Sequence, residues 1–425
     1  MKRSAKTDAV YITGLGHEYP PHTIQQEDFA KIIESLYPGH YLSSPGIQKL
    51  VDFNTKTQIK CRPTVSDNNT WTQKDAQPPS LTSLSRSFRT KGLDLATAAC
   101  TKAMSEAGVQ ANDITHLVAV TCTDQGNPGY DLFVSERLGL GPSVQRVLVQ
   151  GVGCAGGLSA LRAAADIAAA AALKRRCARV LVSACELCSL FFRTELHNIV
   201  HTHDQTLHIA PALFSDAAAA LVVCNGLALQ THTRPVFQLA EWASSVVPGT
   251  SGFMSYHVEK NGMIATISKD VPKAAISAIA PMFQQLCNNT RGRPRKTPDL
   301  DWALHPGGAA ILHGAKHALH LSDSHIRASL DVYRNHGNSS SASVLIVLDT
   351  LRRLGPGRDD VAAVSFGPGL TVEMCIMSRC RGDADSRAAT PPGHRGKMAS
   401  FCGALYSRLS RKVAGRHAAV VKDVS

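Results

Sequence analysis

Cys154 stands in a run of small residues where a predicted strand leads into a predicted helix. Residues 151–157 read Gly-Val-Gly-Cys-Ala-Gly-Gly, between the apolar stretch Arg146–Val149 and a long alanine-rich segment. Gly153 and Gly156 let the backbone turn tightly and let another molecule approach the thiol closely. The start of a helix carries partial positive charge, which lowers the pKa of a nearby cysteine toward the thiolate. The turn suits a cysteine nucleophile, and it equally suits a buried structural cysteine.

Two further side chains with useful chemistry follow in the second half of the chain. His305 ends the apolar segment Leu300–Leu304 and is followed by Pro-Gly-Gly, which turns the chain away. Asn338 lies at the start of a predicted helix, in the run Gly-Asn-Ser-Ser-Ser-Ala. A histidine at a strand end is often a satisfied polar group, and an asparagine at a helix start is often an N-cap. An imidazole can also exchange a proton with a thiol, and an amide can donate to an oxyanion.

Taken together, the three side chains match one kind of reaction. A thiolate can carry an acyl group, while an imidazole and an amide stabilise the negative charge that develops on a carbonyl oxygen. Each of the three lies at the end of a predicted strand or the start of a predicted helix, where active sites of layered α/β folds gather. The set predicts acyl transfer followed by decarboxylative condensation.

The elements that must position these residues alternate between strands and helices. The predicted strands are Val10–Gly14, Ile114–Val120, Arg146–Val149, Arg179–Ala184, Ala217–Val223 and Leu300–Leu304, with Ala362–Phe366 and Leu370–Met377 as a hairpin. The predicted helices are Gln26–Leu36, Ile47–Phe53, Leu93–Gly108, Asp131–Gly139, the alanine-rich segment after Cys154, Ala274–Cys287, Ala310–Leu319 and Ser339–Leu351. This alternation predicts an α/β fold with a covered, mostly parallel sheet.

The second half of the chain repeats the rhythm of the first. One helix leads through Asp113 and Ile114 into a strand, and another leads through Asp299 and Leu300 into a second strand. We therefore predict two similar halves, residues 1–227 with the cysteine and residues 228–380 with the histidine and the asparagine. Residues 381–425 are rich in Arg, Gly, Pro and Ser, which predicts disorder apart from a short helix near Leu405–Val413.

The charge distribution limits the partners that the chain can have. The 45 basic residues exceed the 33 acidic ones by 12, and residues 381–425 hold nine basic against three acidic residues, a surplus of six and half of the total. Aromatic residues make up only 5% and do not alternate with basic runs, which argues against a nucleic-acid partner. The basic tail is instead predicted to make weak contact with anionic membrane.

Cysteine usage and the lack of a targeting segment indicate a cytoplasmic protein. The twelve cysteines have no metal-site spacing, and several lie in apolar runs, as is typical of a reducing compartment. The N-terminus has no apolar stretch long enough for a signal peptide, and Ala163–Leu173 is too short and too polar to cross a membrane. Four nearby histidines lack cysteine partners and a fixed scaffold, so we predict no metal site; they are His197, His201, His203 and His208.

Two smaller motifs allow more than one interpretation. Residues 367–369, Gly-Pro-Gly, could bind phosphate or simply form a hairpin turn. Lys49, Lys56, Lys60 and Arg62 form a basic patch, which is either a solvated face or a clamp for a CoA phosphate.

The order of the motifs resembles that of the type III polyketide synthases, the chalcone-synthase-like group of the thiolase superfamily. The resemblance runs from about Tyr11 to Met377. The motifs that carry it are Pro79–Leu81, Asp113–Leu117, Thr123, Pro128–Gly129, Gly153–Gly157, Leu213–Asp216, Lys269–Pro272, His305–Gly308, Gly337–Ala342 and Phe366–Glu373. The resemblance implies a thiolase fold of five αβαβα layers, a homodimer, and acyl-CoA and malonyl-CoA as substrates without a further cofactor.

The resemblance also assigns roles to individual residues. Cys154 would take the starter acyl group, and His305 would hold the cysteine as a thiolate. His305 and Asn338 together would stabilise the enolate that forms as malonyl-CoA loses CO₂. Phe214 matches the aromatic gate between the CoA tunnel and the cavity. The substrate-binding positions implied are Phe214, Lys49, Lys56, Thr123, Cys188, Phe191, Phe253, Tyr256, Ala265 and Ser340.

Several of these positions depart from the plant enzymes. A third basic CoA-binding position falls on Asp52, and the signature before Phe366 begins with Ser365 where the family has glycine. Two threonines of the plant pocket fall on Cys188 and Phe191, a glycine falls on Tyr256, and a phenylalanine falls on Ala265. One methylene changes binding in an apolar pocket by only about 1–3 kcal/mol, so redirecting a substrate needs several such changes, and several are present.

Residues 121–129 and the changed pocket are similar to fungal members of this group. Those enzymes often take fatty acyl-CoA starters and release alkylpyrones, alkylresorcinols or resorcylic acids. We expect the same chemistry here, with a long slot opened near Ala265.

Three alternative functions are less consistent with the motifs. A ketoacyl-ACP synthase III shares the Cys, His and Asn set, but Phe214 and the ending Phe366–Glu373 speak against it. A thiolase would need a second catalytic cysteine, and Cys375 lies inside a predicted strand. A non-catalytic membrane-binding or partner-binding protein would have no reason to keep all three catalytic residue types.

Overall fold

Strands and helices alternate along the part of the chain that the computed structural model describes, which comprises residues 7–201, 208–229, 234–260, 262–289 and 295–381. The predicted tail from residue 382 and its short helix lie outside the described residues. The strands are β1 Val10–Glu18, β2 His22–Gln25, β3 Cys61–Thr64, β4 His116–Val120, β5 Gln145–Val149, β6 Arg179–Leu187, β7 Asp216–Asn225, β8 Phe237–Val246, β9 Met254–Glu259, β10 Gly262–Ile267, β11 Leu300–Leu304, β12 Asp360–Gly367 and β13 Thr371–Arg379. The helices are α1 Phe29–Leu36, α2 Pro45–Lys56, α3 Leu81–Ser87, α4 Leu93–Ala107, α5 Tyr130–Arg137, α6 Gly156–Leu173, α7 Phe192–His201, α8 Ala210–Leu213, α9 Val271–Asn289, α10 Ala309–Ala318, α11 Arg327–His336 and α12 Ser341–Arg353.

Nine strands form one mixed sheet in the order β11-β12-β13-β8-β1-β7-β6-β4-β5. Only the pairs β11–β12, β4–β5 and β4–β6 are parallel, and the other neighbours are antiparallel. The predicted α/β class is confirmed, whereas the prediction of a mostly parallel sheet is wrong. Helices cover both faces, so strands such as β7 are buried throughout. A continuous apolar run shows that both faces are covered but does not reveal strand direction.

The nine-stranded sheet has two arms, one on each side of the β1–β8 pair. Together with the helices, these arms form five layers. The central layer contains α6 and α12, which pack on each other and on strands of both arms, for example β7 and β12. On the outside, α4 covers β1 and β7, while α9 covers β8 and β13 and carries α10. The two arms meet where Val10–Ile12 of β1 pairs with Phe237–Leu239 of β8. This αβαβα arrangement is the one that the resemblance implied.

Small residues bring the two central helices into close contact. A Cβ at Gly157 of α6 would lie 2.2 Å from the carbonyl oxygen of Ser341 at the start of α12. A Cβ at Gly156 would lie 2.5 Å from Val120 at the end of β4. The first turns of α6 and α12 are therefore in contact. This contact brings the Cys154 turn, which precedes α6, next to the residues that precede α12.

Local signals in the sequence placed most element ends within a few residues. A short 3₁₀ turn precedes each of the two matching strands, Ala111–Asp113 before β4 and Thr297–Asp299 before β11. Gly108 ends α4 in the left-handed conformation, with φ of 66°, as its position predicts. The first predicted helix begins late, at Phe29, because residues 26–28 form a turn after β2 in which Asp28 N–H donates to Gln25 O at 3.1 Å.

One stretch of the described residues, Gly153–Leu173, is long and apolar enough to cross a membrane by length and composition. It is longer than the segment considered in the sequence because it includes the Cys154 turn. The most apolar part of this segment is 56% buried inside the protein. Its helix lies in the central layer between the arms of the sheet, as a core helix does.

Candidate active site

Cys154 lies in the 3₁₀ turn Gly153–Ala155 that leads into α6, and it is 8% exposed. Its Sγ is 3.4 Å from the hydroxyl oxygen of Ser340, and the side-chain amide of Asn338 also hydrogen-bonds it. Gly153 has φ of +47° and lies against Pro368, where a Cβ would come within 2.6 Å of Cδ. The glycine that the sequence marked as permissive is therefore needed both for its backbone angle and for space.

Asn338 is fixed by its backbone and by one end of its amide. Its N–H donates to Leu213 O at 3.0 Å, and its carbonyl accepts from Ser215 N at 2.9 Å. Its Oδ1 accepts from Ser340 N at 2.9 Å, a local bond to the backbone two residues on. Because Oδ1 is occupied, the amide nitrogen is the end that faces Cys154. Asn338 is not the N-cap, because Ser340 is the residue before α12, and its role as an oxyanion donor stays a prediction.

His305 follows β11 and is 2% exposed. Its N–H donates to Val364 O of β12 at 2.8 Å. The next residue of β12, Ser365, donates its hydroxyl to Ala155 O in the Cys154 turn at 3.4 Å. These two contacts bring His305 to the same end of the sheet as Cys154. Within the described residues, the buried Nδ1 of His305 has no hydrogen-bond partner.

Burial acts on the two titrating groups in opposite directions. It raises the pKa of Cys154 to about 11, although hydrogen bonds from Ser340 and Asn338 lower it in part, and the buried Glu186 raises it further. It lowers the pKa of His305 to about 3. These directions oppose the thiolate that the helix start alone predicts, because desolvation outweighs the helix dipole. Burial thus favours the neutral form of each of these two groups.

Glu186 is a buried acid near Cys154 that the sequence did not single out. It accepts hydrogen bonds from Cys122 N at 3.0 Å, Thr123 Oγ1 at 2.9 Å and Ser341 Oγ. Thr123, predicted to bind substrate, thus directs its hydroxyl to Glu186, and its neighbour Cys122 lines the cavity instead. No local pattern marks this acid, because its partners come from two segments that are distant from it in the sequence.

A cavity of about 780 Å³, including its open mouth, adjoins Cys154. Most of its wall is apolar. Seven of the predicted residues line it, namely Cys154, Cys188, Phe191, Phe214, Tyr256, Ala265 and Ser340. Phe253 does not line it and packs instead against the core beside β13. The residues that sequence reasoning missed in this wall include Ile24, Cys122, Glu195, Met254 and Ile267.

The predicted basic patch is smaller than the sequence indicated. Lys49 and Lys56 are exposed on α2, together with Asp52 between them. Arg62 is 1% exposed, lines the cavity, donates to Ala212 O at 3.2 Å and stacks over the ring of Phe29. Including Arg62 in a surface patch was wrong, because it lies in β3, where successive side chains point to opposite faces. Burial lowers its pKa to about 10.

The histidine cluster and the Gly-Pro-Gly run are the remaining motifs from the sequence. His197 and His201 lie one helical turn apart on α7 with ring centres 4.2 Å apart, and His203 lies outside the described residues. No group of three or more His, Cys, Asp or Glu in the described part of the chain is arranged to hold a metal ion. The Gly-Pro-Gly run is a turn between the antiparallel strands β12 and β13, and Pro368 in it covers Gly153.

Comparison with known proteins agrees with this arrangement. Residues 1–226 match the chalcone and stilbene synthases, N-terminal domain, and residues 238–380 match the C-terminal domain of the same family. The type III polyketide synthase pspB of Penicillium soppii is 41% identical over 392 residues, covering 88% of this chain and 98% of the relative. The acylalkylpyrone synthase csyB of Aspergillus oryzae is 33% identical over 383 residues, covering 87% and 94%.

The fold agrees as well. The crystal structure of the fungal type III polyketide synthase ORAS superposes with a TM-score of 0.82 at 36% identity, covering 87% of this chain and 99% of that one. The fold and the two matched family domains define an acyltransferase of the polyketide synthase class. The chain belongs to the chalcone and stilbene synthase family of type III polyketide synthases, which confirms the resemblance found in the sequence.

Proposed function

We propose that this enzyme condenses malonyl-CoA repeatedly onto a fatty acyl-CoA starter held on Cys154 and cyclises the chain to an alkylpyrone, alkylresorcinol or resorcylic acid. The observation that carries the proposal is the position of the Cys154 thiol beside a largely apolar cavity of about 780 Å³, since an alkyl chain needs such a wall. The name acylalkylpyrone synthase of the relative csyB supports a pyrone product.

The first step loads the starter. The sulfur of Cys154 attacks the thioester carbonyl, its proton passes to His305, and CoA leaves as a thiol after taking up a proton. The amide nitrogen of Asn338, whose oxygen is held by Ser340 N, would donate to the oxyanion.

The second step extends the chain. Malonyl-CoA loses CO₂, and the electron pair of the broken bond forms an enolate that His305 and Asn338 stabilise. The enolate carbon then attacks the acyl carbon on Cys154, the carbon–sulfur bond breaks, and the chain grows by two carbons. Return of the chain to Cys154 permits another cycle.

Replacing His305 by glutamine is expected to lower the reactivity of Cys154 toward iodoacetamide at pH 7 by at least about a hundredfold. Without the imidazole, the thiolate cannot form as part of an ion pair, and burial raises the pKa of Cys154 to about 11. The rate in the variant then rises with pH from 7 to 10, because the thiolate fraction increases up to the pKa. Exposed His313 on α10 provides the control variant His313→Gln. Unchanged alkylation in His305→Gln would contradict the pairing.

Replacing Ala265 by phenylalanine is expected to shift the starter preference toward short acyl-CoA by at least about tenfold in kcat/KM, because the ring fills the cavity wall at β10. Steady-state rates with acyl-CoA starters of increasing length measure the shift. Thr266 is the next residue of β10 and is exposed, so Thr266→Phe adds the same ring on the opposite face as a control. If Ala265→Phe leaves the preference for starter length unchanged, the proposed slot near Ala265 is rejected.

Substrate entry involves a gate and a basic face. Phe214 lines the cavity and forms a β-bridge with Asn338, so the proposed gate is tied to the proposed oxyanion donor. Lys49 and Lys56 are exposed on α2 and would bind the phosphates of CoA. We further assign the two halves to residues 1–227 and 228–380 and propose a cytoplasmic homodimer that needs no cofactor beyond its CoA substrates.

The basic residues from 381 onward are proposed to touch anionic membrane, where fatty acyl products concentrate. Co-sedimentation with anionic liposomes, with and without residues 381–425, measures this contact. The full chain is expected to bind more strongly, and equal binding by both forms would contradict the proposal.

Incubation with a fatty acyl-CoA and malonyl-CoA, without any carrier protein, tests the proposed function. Mass spectrometry is expected to show cyclised products that contain the starter and at least two malonyl-derived units. A ketoacyl-ACP synthase III would stop after one extension and would need its carrier protein. Products of a single extension, or none, would therefore reject the proposal.

A further inference from the structure

Glu195 places a carboxyl group in the wall of the otherwise largely apolar cavity. It lies in the first turn of α7, is 3% exposed, and lines the cavity together with Phe191 and Phe192. Burial raises the pKa of this carboxyl to about 7. An acid in such surroundings is stable only when its oxygens are hydrogen-bonded or when it is neutral.

The two carboxyl oxygens of Glu195 have different surroundings. Oε1 accepts the backbone N–H of Ala265 at 2.7 Å and so ties α7 to the edge strand β10. Oε2 is buried and has no hydrogen-bond partner in the described part of the chain. The nearby imidazole of His208 places Nδ1 at 3.7 Å from Oε2, beyond hydrogen-bonding distance. The cavity wall thus holds one polar oxygen that the protein itself does not satisfy.

The anchoring role alone does not account for a carboxyl group here. The bond to Ala265 uses one oxygen, and a glutamine could make it equally well without an ionisable group. Ala265 also lines the cavity, at the position where a small side chain leaves space. A chain that passes Ala265 therefore passes the carboxyl that holds it, within reach of Oε2.

We propose that Oε2 of Glu195 donates a hydrogen bond to an oxygen atom carried by the acyl chain in the cavity. The ligand class is an acyl chain with a carbonyl or hydroxyl oxygen, which either the starter brings or extension creates as a keto group. This inference rests on the proposed function, because it needs the chain on Cys154 to occupy the cavity. It makes Glu195 a determinant of which chains are held, beside residues that only shape the wall.

With its pKa raised to about 7, Glu195 has a substantial neutral fraction at neutral pH, and the neutral acid can donate. Because Oε1 accepts the N–H of Ala265, the proton of the neutral acid resides on Oε2. In an apolar cavity the neutral acid avoids the cost of a buried charge. A hydrogen bond to a chain oxygen then satisfies the group that is otherwise left without a partner.

Loading of Cys154 without malonyl-CoA tests the inference, because no keto oxygen can arise by extension. Intact-mass spectrometry follows acylation by three acyl-CoA substrates of equal length: a saturated chain, its 3-oxo form and a hydroxylated form. Glu195→Leu is expected to slow the oxygen-bearing chains about tenfold more than the saturated one, which corresponds to about 1.4 kcal/mol. Glu195→Gln keeps an acceptor for Ala265 N–H and a donor beside it, so it is expected to retain the wild-type ratio.

The outcomes separate the inference from its rivals. A selective loss with the 3-oxo chain assigns the bond to the keto oxygen made by extension, and a selective loss with the hydroxylated chain assigns it to the starter. Equal slowing of all three chains in Glu195→Leu would leave only the anchoring role and overturn the inference. If Glu195→Gln also slows the oxygen-bearing chains more than the saturated chain, the donor role is overturned. Failure of the wild-type enzyme to acylate with any of the chains would instead reject the proposed function.

Discussion

Replacing Cys154 by alanine abolishes the acyl-enzyme and lowers the rate of polyketide release by at least about 10³-fold, the scale of losses seen when a covalent nucleophile is removed. The reason is geometric. In the described cavity wall, the Cys154 sulfur is held by Ser340 and Asn338, and the neighbouring Pro368 closes the turn behind it. Alanine fits the same turn, because it lacks only the sulfur, so the fold should persist.

Intact-mass spectrometry after incubation with acyl-CoA measures this loss directly. Cys177 is exposed and follows the C-terminal end of α6, whereas Cys154 precedes the start of that helix, so Cys177→Ala controls for acylation of an accessible thiol. That variant is expected to form the acyl-enzyme like the wild type. An acyl adduct that persists in Cys154→Ala would place the nucleophile elsewhere.

Replacing Gly157 by alanine is expected to destabilise the protein by about 3 kcal/mol, the upper end of the range for overpacking a core. The added Cβ would lie 2.2 Å from the carbonyl oxygen of Ser341 and 3.1 Å from Val344, so α6 and α12 must move apart. Because Cys154 precedes one helix and Asn338 precedes the other, the same shift separates the reacting groups. Activity is therefore expected to fall together with stability.

Urea unfolding measures the free-energy change, with Gly141→Ala as the matched control. Gly141 has no atom within 4 Å of a built Cβ and a backbone that tolerates alanine. Its substitution is expected to leave the midpoint unchanged or slightly higher, since alanine restricts the unfolded chain. Equal midpoints for Gly157→Ala and Gly141→Ala would contradict the close packing of the two helices.

The proposed catalytic positions stand out in the sequence because their signals are local. A glycine-rich turn at Cys154, an apolar strand ending at His305 and a glycine before Asn338 are each visible within a few residues. The order of the motifs along the chain then indicated the five-layered fold, through the resemblance to a known family. The same local signals placed Gly108 at the end of α4 and predicted the strands β4 and β11.

The features that were missed depend on contacts between distant segments. Strand direction in the sheet is invisible in a strand buried on both faces, so the antiparallel centre was mistaken for parallel. Arg62 looked like part of a surface patch, yet it reaches Ala212 across 150 residues. Glu186 and Glu195 carried no motif, because their partners come from other elements. Burial also raises the pKa of the Cys154 thiol, and the sequence of the turn does not reveal that burial.

Cys154 is proposed to carry the growing chain through several extensions. Rapid quenching during turnover with a fatty acyl-CoA and malonyl-CoA, followed by mass spectrometry of the peptide that contains Cys154, tests it most directly. We expect a series of adducts on this cysteine: the starter, followed by the starter lengthened by successive two-carbon units. A peptide that carries only the starter while longer products are released, or extended chains attached to another residue, would contradict it.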